Sequence, residues 1–240
     1  MYFVKDASLK ESADLNSESL IDINNSIDVK LLGLINEDWC KVDFDSTEGF
    51  IPSSNLTSAA ITPDIVEKNR IQRILLGVNI DMDLSKPSGL TLDDYERIFS
   101  DLSQDVNDVF KNNYSAFYEM ENKYQINGIF LASIAIHESG WGTSQIARDK
   151  NNLFGFGAYD SNPYEYAVSF SSYSDGIEKV AQALANNYLF PAGTELNNGE
   201  TARGSYHNGN TVESVNIRYA SDPDWHFKVF KYMDMLYKRL

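Results

Sequence analysis

The sequence predicts a chain of two unlike parts, an all-β segment over residues 1–57 followed by a mostly α-helical domain. Three observations carry this. Residues 1–57 hold short apolar patterns of period two and nothing with helical spacing. From Ile61 onward apolar residues recur at helical intervals. The run Gly128–His137 is apolar on every side, which marks a helix buried inside a domain rather than lying on its surface. With 240 residues, 42% of them hydrophobic and 23% charged, the chain has the material for a sizeable core.

In order along the chain, Val29–Ile35 is one apolar run, and Cys40-Lys41-Val42-Asp43-Phe44 alternates as a half-buried strand does. Asp45-Ser46-Thr47 turns the chain into a second short strand, Glu48–Pro52. Residues 1–57 carry 4 Lys/Arg and 11 Asp/Glu, a solvated acidic face. Ile65, Arg70, Ile71, Ile74 and Leu75 suggest a helix, and Ser85-Lys86-Pro87-Ser88-Gly89 breaks the chain. Residues 58–90 therefore read as a helical linker region ahead of a domain over 91–240.

Within that domain Thr91-Leu92-Asp93-Asp94 opens a helix with acids in its first turn. Val106–Tyr124 continues as an amphipathic helix, and Asn127 caps the buried run. Asp175 and Glu178 have the spacing of a capping box before an apolar helix. Asp222 reads as the N-cap of a terminal helix, with Pro223 at its first position and Trp225, Val229, Met233 and Tyr237 on its apolar side. The stretches Asn151–Tyr173 and Pro191–Tyr219, rich in Gly, Asn, Ser and Tyr, are where a helical scaffold would carry a binding site.

Composition excludes several classes. A net charge of −15 and a pI near 4.5 argue against a nucleic-acid partner, which needs a basic surface. One cysteine, Cys40, permits no internal disulfide, and three scattered histidines form no metal-ligand spacing, so neither metal nor cofactor is expected. No run of 18 apolar residues reads as a membrane span, and Met1–Asp6 shows no secretion signal. The chemistry expected is that of carboxylates, hydroxyls and rings.

The most informative stretch is His137-Glu138-Ser139-Gly140-Trp141-Gly142-Thr143-Ser144. Glu138 sits where the buried helix must end, because Gly140 and Gly142 stop it. An apolar helix, Trp141 and the negative end of the helix dipole all oppose ionisation there. The sequence thus predicts a carboxyl in a dry corner that keeps its proton, as a general acid requires. A second histidine at metalloprotease spacing is missing, and His137, roughly 100° around the helix from Glu138, reads as structural.

These residues, followed by Ile146-Ala147-Arg148 and Asn151-Asn152-Leu153-Phe154-Gly155, resemble the glucosaminidase domain of glycoside hydrolase family 73. The likeness is closest to the catalytic ends of clostridial and streptococcal autolysins. It extends through Ala158–Pro163, Phe170, Tyr173 and Tyr219-Ala220-Ser221-Asp222-Pro223, and covers roughly Pro87–Leu240. It implies a mostly α, lysozyme-like fold that cleaves peptidoglycan glycan after N-acetylglucosamine. Separately, Asp38–Val42 with Gly49–Leu56 is similar to the end of bacterial Src-homology-3-like domains, which implies that residues 1–57 form a small all-β barrel. The first motif of such domains, Leu-Asn-Val-Arg, is replaced here by Ala7-Ser8-Leu9-Lys10.

The resemblance implies Glu138 as catalytic acid. An inverting mechanism would need a carboxylate base across the bond, and Glu165 is the best candidate by position, with Asp160 an alternative. A substrate-assisted mechanism would need none, and Tyr219 could then orient the substrate's acetamido group. Asp222 reads as a cap rather than a catalyst. Aromatic rings stack on the apolar faces of sugars, so Trp141, Tyr159, Tyr164 and Tyr173 are candidate substrate contacts, with Asn151 and Asn152 meeting acetamido groups. Phe154, Phe156 and Phe170 read as core. The reading that follows is an endo-β-N-acetylglucosaminidase, a monomer without cofactor, secreted and wall-associated, whose partner is peptidoglycan glycan. A muramidase or lytic transglycosylase on the same scaffold, or a catalytically silent wall-binding protein, are the alternatives.

Overall fold

The structure, a computed structural model, describes residues 2–23, 26–58, 63–158 and 162–240. The chain divides into two compact units, residues 1–76 and 77–240.

The first unit holds seven strands: β1 (Tyr2–Val4), β2 (Ala7–Lys10), β3 (Ser19–Ile23), β4 (Ile27–Leu34), β5 (Trp39–Phe44), β6 (Thr47–Pro52) and β7 (Leu56–Ser58). They form an antiparallel sheet in the order β3-β2-β6-β5-β4-β1-β7. The alternation of β5 decides its faces: Cys40, Val42 and Phe44 are buried while Trp39, Lys41 and Asp43 lie half-buried between them. The buried set joins Val4, Leu9, Ile23, Ile27, Val29 and Ile51 in one apolar core. Asp45 and Ser46 take left-handed backbone (φ 47° and 70°), which lets two residues reverse the chain from β5 to β6. Helix α1 (Pro63–Gly77) is tied to the sheet through Arg73, which pairs with Asp28 at 3.0 Å and with Asp45, and lies over the Phe44 ring.

The second unit is helical: α2 (Leu92–Phe99), α3 (Val109–Tyr124), α4 (Gly128–Ser139), α5 (Gln145–Lys150), α6 (Pro163–Tyr166), α7 (Tyr173–Leu184), α8 (Val212–Tyr219) and α9 (Trp225–Tyr237). Leu84 and Leu90, in the stretch read as linker, are buried. Thr91 and Asp94 make the reciprocal bonds of a capping box on α2. Helix α3 begins at Val109 rather than Val106, because the buried Asp105 carboxylate collects the N–H groups of Val109, Phe110 and Lys111. Asn127 caps α4 by accepting the Phe130 N–H.

Every residue of α4 from Gly128 to Ile136 is buried, as the all-round apolar run requires, and the helix packs against α3 and α9. Gly128 admits α3: a Cβ there would stand 2.2 Å from the Tyr95 hydroxyl and 2.9 Å from the Phe117 carbonyl. The cap of α7 lies one turn earlier than Asp175/Glu178. Ser172 accepts the Asp175 N–H, while Glu178 bonds Lys123 and Tyr124. Helix α9 likewise starts behind Asp224, and Asp222 accepts the Asp224 N–H in the turn before it. In both places several short polar residues compete to cap, and packing of the helix decides between them.

Candidate active site

Helix α4 ends in three successive left-handed residues, Gly140, Trp141 and Gly142 (φ 55°, 62° and 72°). The turn is closed by Ser139, whose hydroxyl donates to the Ala135 carbonyl and accepts the Gly142 N–H. Gly142 has a second constraint, since a Cβ would meet the Val109 side chain at 2.9 Å. Gly142→Ala is expected to lower stability by roughly 1–3 kcal/mol, from left-handed strain and overpacking together, read as a shift of the urea midpoint at unchanged slope. This turn presents Glu138 at the end of a rigid, buried helix.

Glu138 lines a cavity of about 670 Å³. The described residues around it come from the end of α4 (His137, Glu138), the following loop (Phe154, Phe156) and α7 (Val180, Ala183, Leu184). Asn187, Tyr188, Tyr206, the segment Tyr219–Asp222 and Trp225 complete it. Asn187 and Tyr188 stand on a single π-helical turn, Ala185–Leu189, that continues α7. Such turns re-aim side chains out of the ordinary helical rows.

The Glu138 carboxyl accepts the indole N–H of the buried Trp225 at 2.9 Å, across 87 residues of sequence. Glu138 is otherwise exposed, which corrects the expectation of a dry corner. The apolar helix behind it ends one residue later, and the side chain turns into the open cavity instead of back onto the core. Beside it the rings of Tyr206, Tyr188, Tyr219 and Trp225 follow one another with centroids 5.2, 5.7 and 4.8 Å apart. Tyr219 is half-buried, and its hydroxyl makes no hydrogen bond among the described residues. Burial, then the Glu138 charge, then Tyr188 push its ionisation far above the ordinary phenol range, so it is a neutral hydroxyl at any physiological pH.

Asp222 is a second carboxylate lining the cavity. Hydrogen bonding to Lys228, then the Asp224 N–H, holds its carboxyl below the usual carboxylate range, with the His137 ring contributing. His137, read as structural from the sequence, is part of the cavity wall.

The other residues singled out by sequence lie elsewhere. Glu165 is exposed on the short helix α6 and is not among the residues lining the cavity. Helix α6 is tied down instead by Lys150, whose ammonium donates to the carbonyls of Tyr164 and Ala167. Trp141 packs edge-on against Phe110 and Tyr232. Tyr164 donates to Asp149, and Tyr173 opens α7. Asn151 is the left-handed cap of α5 and donates to the Phe170 carbonyl.

Asn152 corrects its expected role outright. Its amide donates to the carbonyls of Phe156 and Val168 and accepts the N–H groups of Phe154 and Phe156, which uses all four of its hydrogen bonds inside the loop. Tyr159 and Asp160 lie outside the described residues. Phe154 and Phe156, read as core, line the cavity as well. Sequence reasoning missed Trp225 as a partner of Glu138, and it missed Asn187, Tyr188 and Tyr206. The one local signal was the polar pair Asn186-Asn187, which interrupts the apolar pattern of α7 before Tyr188. Among the described residues no group of three or more His, Cys, Asp or Glu side chains could hold a metal ion. No helix among them is long and apolar enough to cross a membrane.

Residues 114–238 match the glucosaminidase family, described as mannosyl-glycoprotein endo-beta-N-acetylglucosaminidase. A Streptococcus pneumoniae serotype 4 protein, provisionally named endo-beta-N-acetylglucosaminidase, is 33% identical over 158 residues, covering 66% of this chain and 22% of that protein. A Bacillus subtilis beta-N-acetylglucosaminidase is 30% identical over 132 residues, covering 52% of this chain and 15% of that protein. Among solved structures, Staphylococcus aureus autolysin E matches with a TM-score of 0.45 and 22% identity over 76% of this chain and 80% of that one. The chain spans about a fifth of the length of the first of these relatives. The match covers more than half of the chain and includes the whole of α4, Tyr219 and Trp225, so this chain belongs to the glucosaminidase family.

Proposed function

We propose that this chain is an endo-β-N-acetylglucosaminidase that hydrolyses the GlcNAc-β-1,4-MurNAc bond of bacterial cell-wall glycan, with Glu138 as general acid. The observation that carries this reading is the Glu138 carboxyl on the wall of a 670 Å³ cavity, oriented by the Trp225 indole beside the neutral Tyr219 hydroxyl. A sugar filling the cavity removes water from around Glu138, which favours the proton-donating form of a carboxyl. The proton passes to the leaving glycosidic oxygen as the anomeric C–O bond breaks.

Asp222 and Tyr219 suit a substrate-assisted step. In it the acetamido oxygen attacks the anomeric carbon, and water then opens the oxazolinium ring, returning a proton to Glu138. The Tyr219 hydroxyl donates to the acetamido carbonyl, and the ionised Asp222 accepts the acetamido N–H and offsets the positive charge. Glu165, exposed on α6, is not needed in this scheme. Trp225 is a positioning residue, and the row of tyrosines offers stacking faces to successive sugars.

The lysozyme-like reading of residues 91–240 and the Src-homology-3-like barrel reading of residues 1–57 belong to the same proposal. So do attachment of the first unit to the wall, a secreted location and a monomeric state. The test is reducing-end analysis of digested peptidoglycan. New GlcNAc ends are expected, whereas new MurNAc or anhydro-MurNAc ends would assign the other bond, and no new ends would remove the enzyme reading. Tyr219→Phe keeps the ring packed on Trp225 and Tyr188 and deletes only the hydroxyl. It is expected to lower kcat by about 10–100-fold with little change in KM, the mark of an interaction made in the transition state. A kcat within twofold of the parent would take Tyr219 out of the mechanism.

A further inference from the structure

A second cavity, of about 580 Å³, adjoins the one that holds Glu138 and shares Phe156, Ala183 and Asn187 with it. Its lining is different in kind, with Lys179 on α7, Arg203 on the loop after the π turn, and Glu200 beside them. The chain carries a net charge of −15, and Lys86, Arg97, Lys111, Lys123, Lys228 and Lys238 of the helical unit each pair with a carboxylate. Lys179 and Arg203 pair with none among the described residues, as is true also of Arg148, Lys150, Arg218, Lys231 and Arg239, but of these only Lys179 and Arg203 line the second cavity, and both are exposed. Arg203 is nonetheless fixed at its backbone, whose N–H donates to both the carbonyl and the side-chain oxygen of Asn186 on the π turn. The Glu200 carboxylate is held in place by the Gln182 amide at 3.1 and 3.2 Å. Two free cations and one oriented carboxylate thus stand on a polar shelf next to the sugar cavity.

We propose that this shelf binds a carboxylate-bearing peptide substituent carried on the glycan, with Lys179 and Arg203 receiving its carboxylates and Glu200 facing an amino group. The volume lies in the range that encloses a drug-sized ligand. The three shared residues make the shelf continuous with the main cavity, so a sugar seated there can reach it through its own substituent. The Arg203 guanidinium offers a two-pronged contact that a carboxylate matches. This inference rests on the reading that the main cavity takes wall glycan, and it adds a preference for strands that still carry their peptides.

The test uses the full chain with Glu138→Gln, which prevents turnover, and titration calorimetry with soluble glycan oligomers that either carry peptide stems or have been stripped of them. The peptide-bearing oligomer is expected to bind about tenfold tighter at low ionic strength, with the ratio shrinking as salt rises. Lys179→Met together with Arg203→Met, both exposed positions, should bring the ratio below about twofold. Equal affinities before the double substitution, a preference that survives it, or binding of neither oligomer would overturn the proposal. So would equal competition by a polyol phosphate oligomer, which would assign the shelf to phosphate. Cleavage of the stripped oligomer by the unsubstituted chain tests the glycosidase reading separately. Its absence would sink that reading while the affinity ratio still reports on the shelf.

Discussion

Glu138→Gln is expected to lower turnover of wall glycan by about 10²–10⁴-fold while the fold and glycan binding persist, because the change removes a proton donor and little else. The amide is nearly the size of the carboxyl, and its oxygen can still accept the Trp225 indole N–H that holds Glu138 in place. Neither α4 nor its left-handed ending uses the Glu138 side chain, so the helix terminus has no reason to unwind. Released reducing ends measure the loss, and sedimentation of the protein with purified wall measures the binding. Activity within a few-fold of the parent would remove Glu138 from the acid's role. Loss of binding together with turnover would make it a binding residue instead.

Glu121→Ala is expected to cost about 3–5 kcal/mol of stability, the largest effect anticipated away from the cavity. Glu121 is 2% exposed and, among the described residues, forms no ion pair. Its carboxyl accepts the Ser88 hydroxyl at 2.8 Å, the Tyr95 hydroxyl at 2.9 Å and the Gly128 N–H at 2.7 Å. It thereby joins the start of α4 to α2 and α3. Truncation opens a cavity and strands two buried donors, Tyr95 and Gly128, together with the half-buried Ser88 hydroxyl. Chemical denaturation of parent and variant checks the size. A cost below about 1 kcal/mol would show that water or a neighbour can satisfy those donors.

The same carboxyl shapes the pH dependence of stability. Burial pushes its ionisation above the ordinary value of 4.5, and the hydrogen bonds from Gly128 and Ser88 oppose that shift only in part. The folded state therefore holds a proton that the unfolded state releases. Stability falls as pH rises from about 4.5 through the raised folded value, beyond which the loss is complete. Glu121→Gln removes this titration, so the slope over that window should flatten in the variant. An unchanged slope would assign it to other groups.

How much of this was legible in the sequence depended on whether the physics was local. Helix α4 could be read because its evidence is contiguous: a capping Asn127, nine apolar or small residues without a polar face, and a glycine whose φ of 55° ends it. The β5–β6 hairpin was equally readable, from alternation on one strand and two left-handed turn residues. Caps were harder. Ser172, Ser174 and Asp175 all offer a side-chain oxygen, and which of them serves depends on where α7 meets its neighbours.

The amide of Asn152 was expected to face substrate because of its chemical type. Whether an amide has hydrogen bonds left to offer is a property of the folded loop, and here it has none. Distance along the chain favours Glu165, and the fold leaves it exposed on the short helix α6. Trp225 was read as one more member of an apolar helix face, yet its N–H orients a carboxyl 87 residues away.

From sequence alone came strands ahead of helices, the buried central helix, the carboxylate at its end and the family. Tertiary structure decided which side chains share the cavity with that acid, namely Trp225, Tyr188, Tyr219 and Asp222. It decided as well that the acid faces an open space rather than a dry one. Periodicity and capping are set by neighbours three or four residues apart, whereas a cavity is set by helices that meet across half the chain. No local pattern records which of their side chains will face one another.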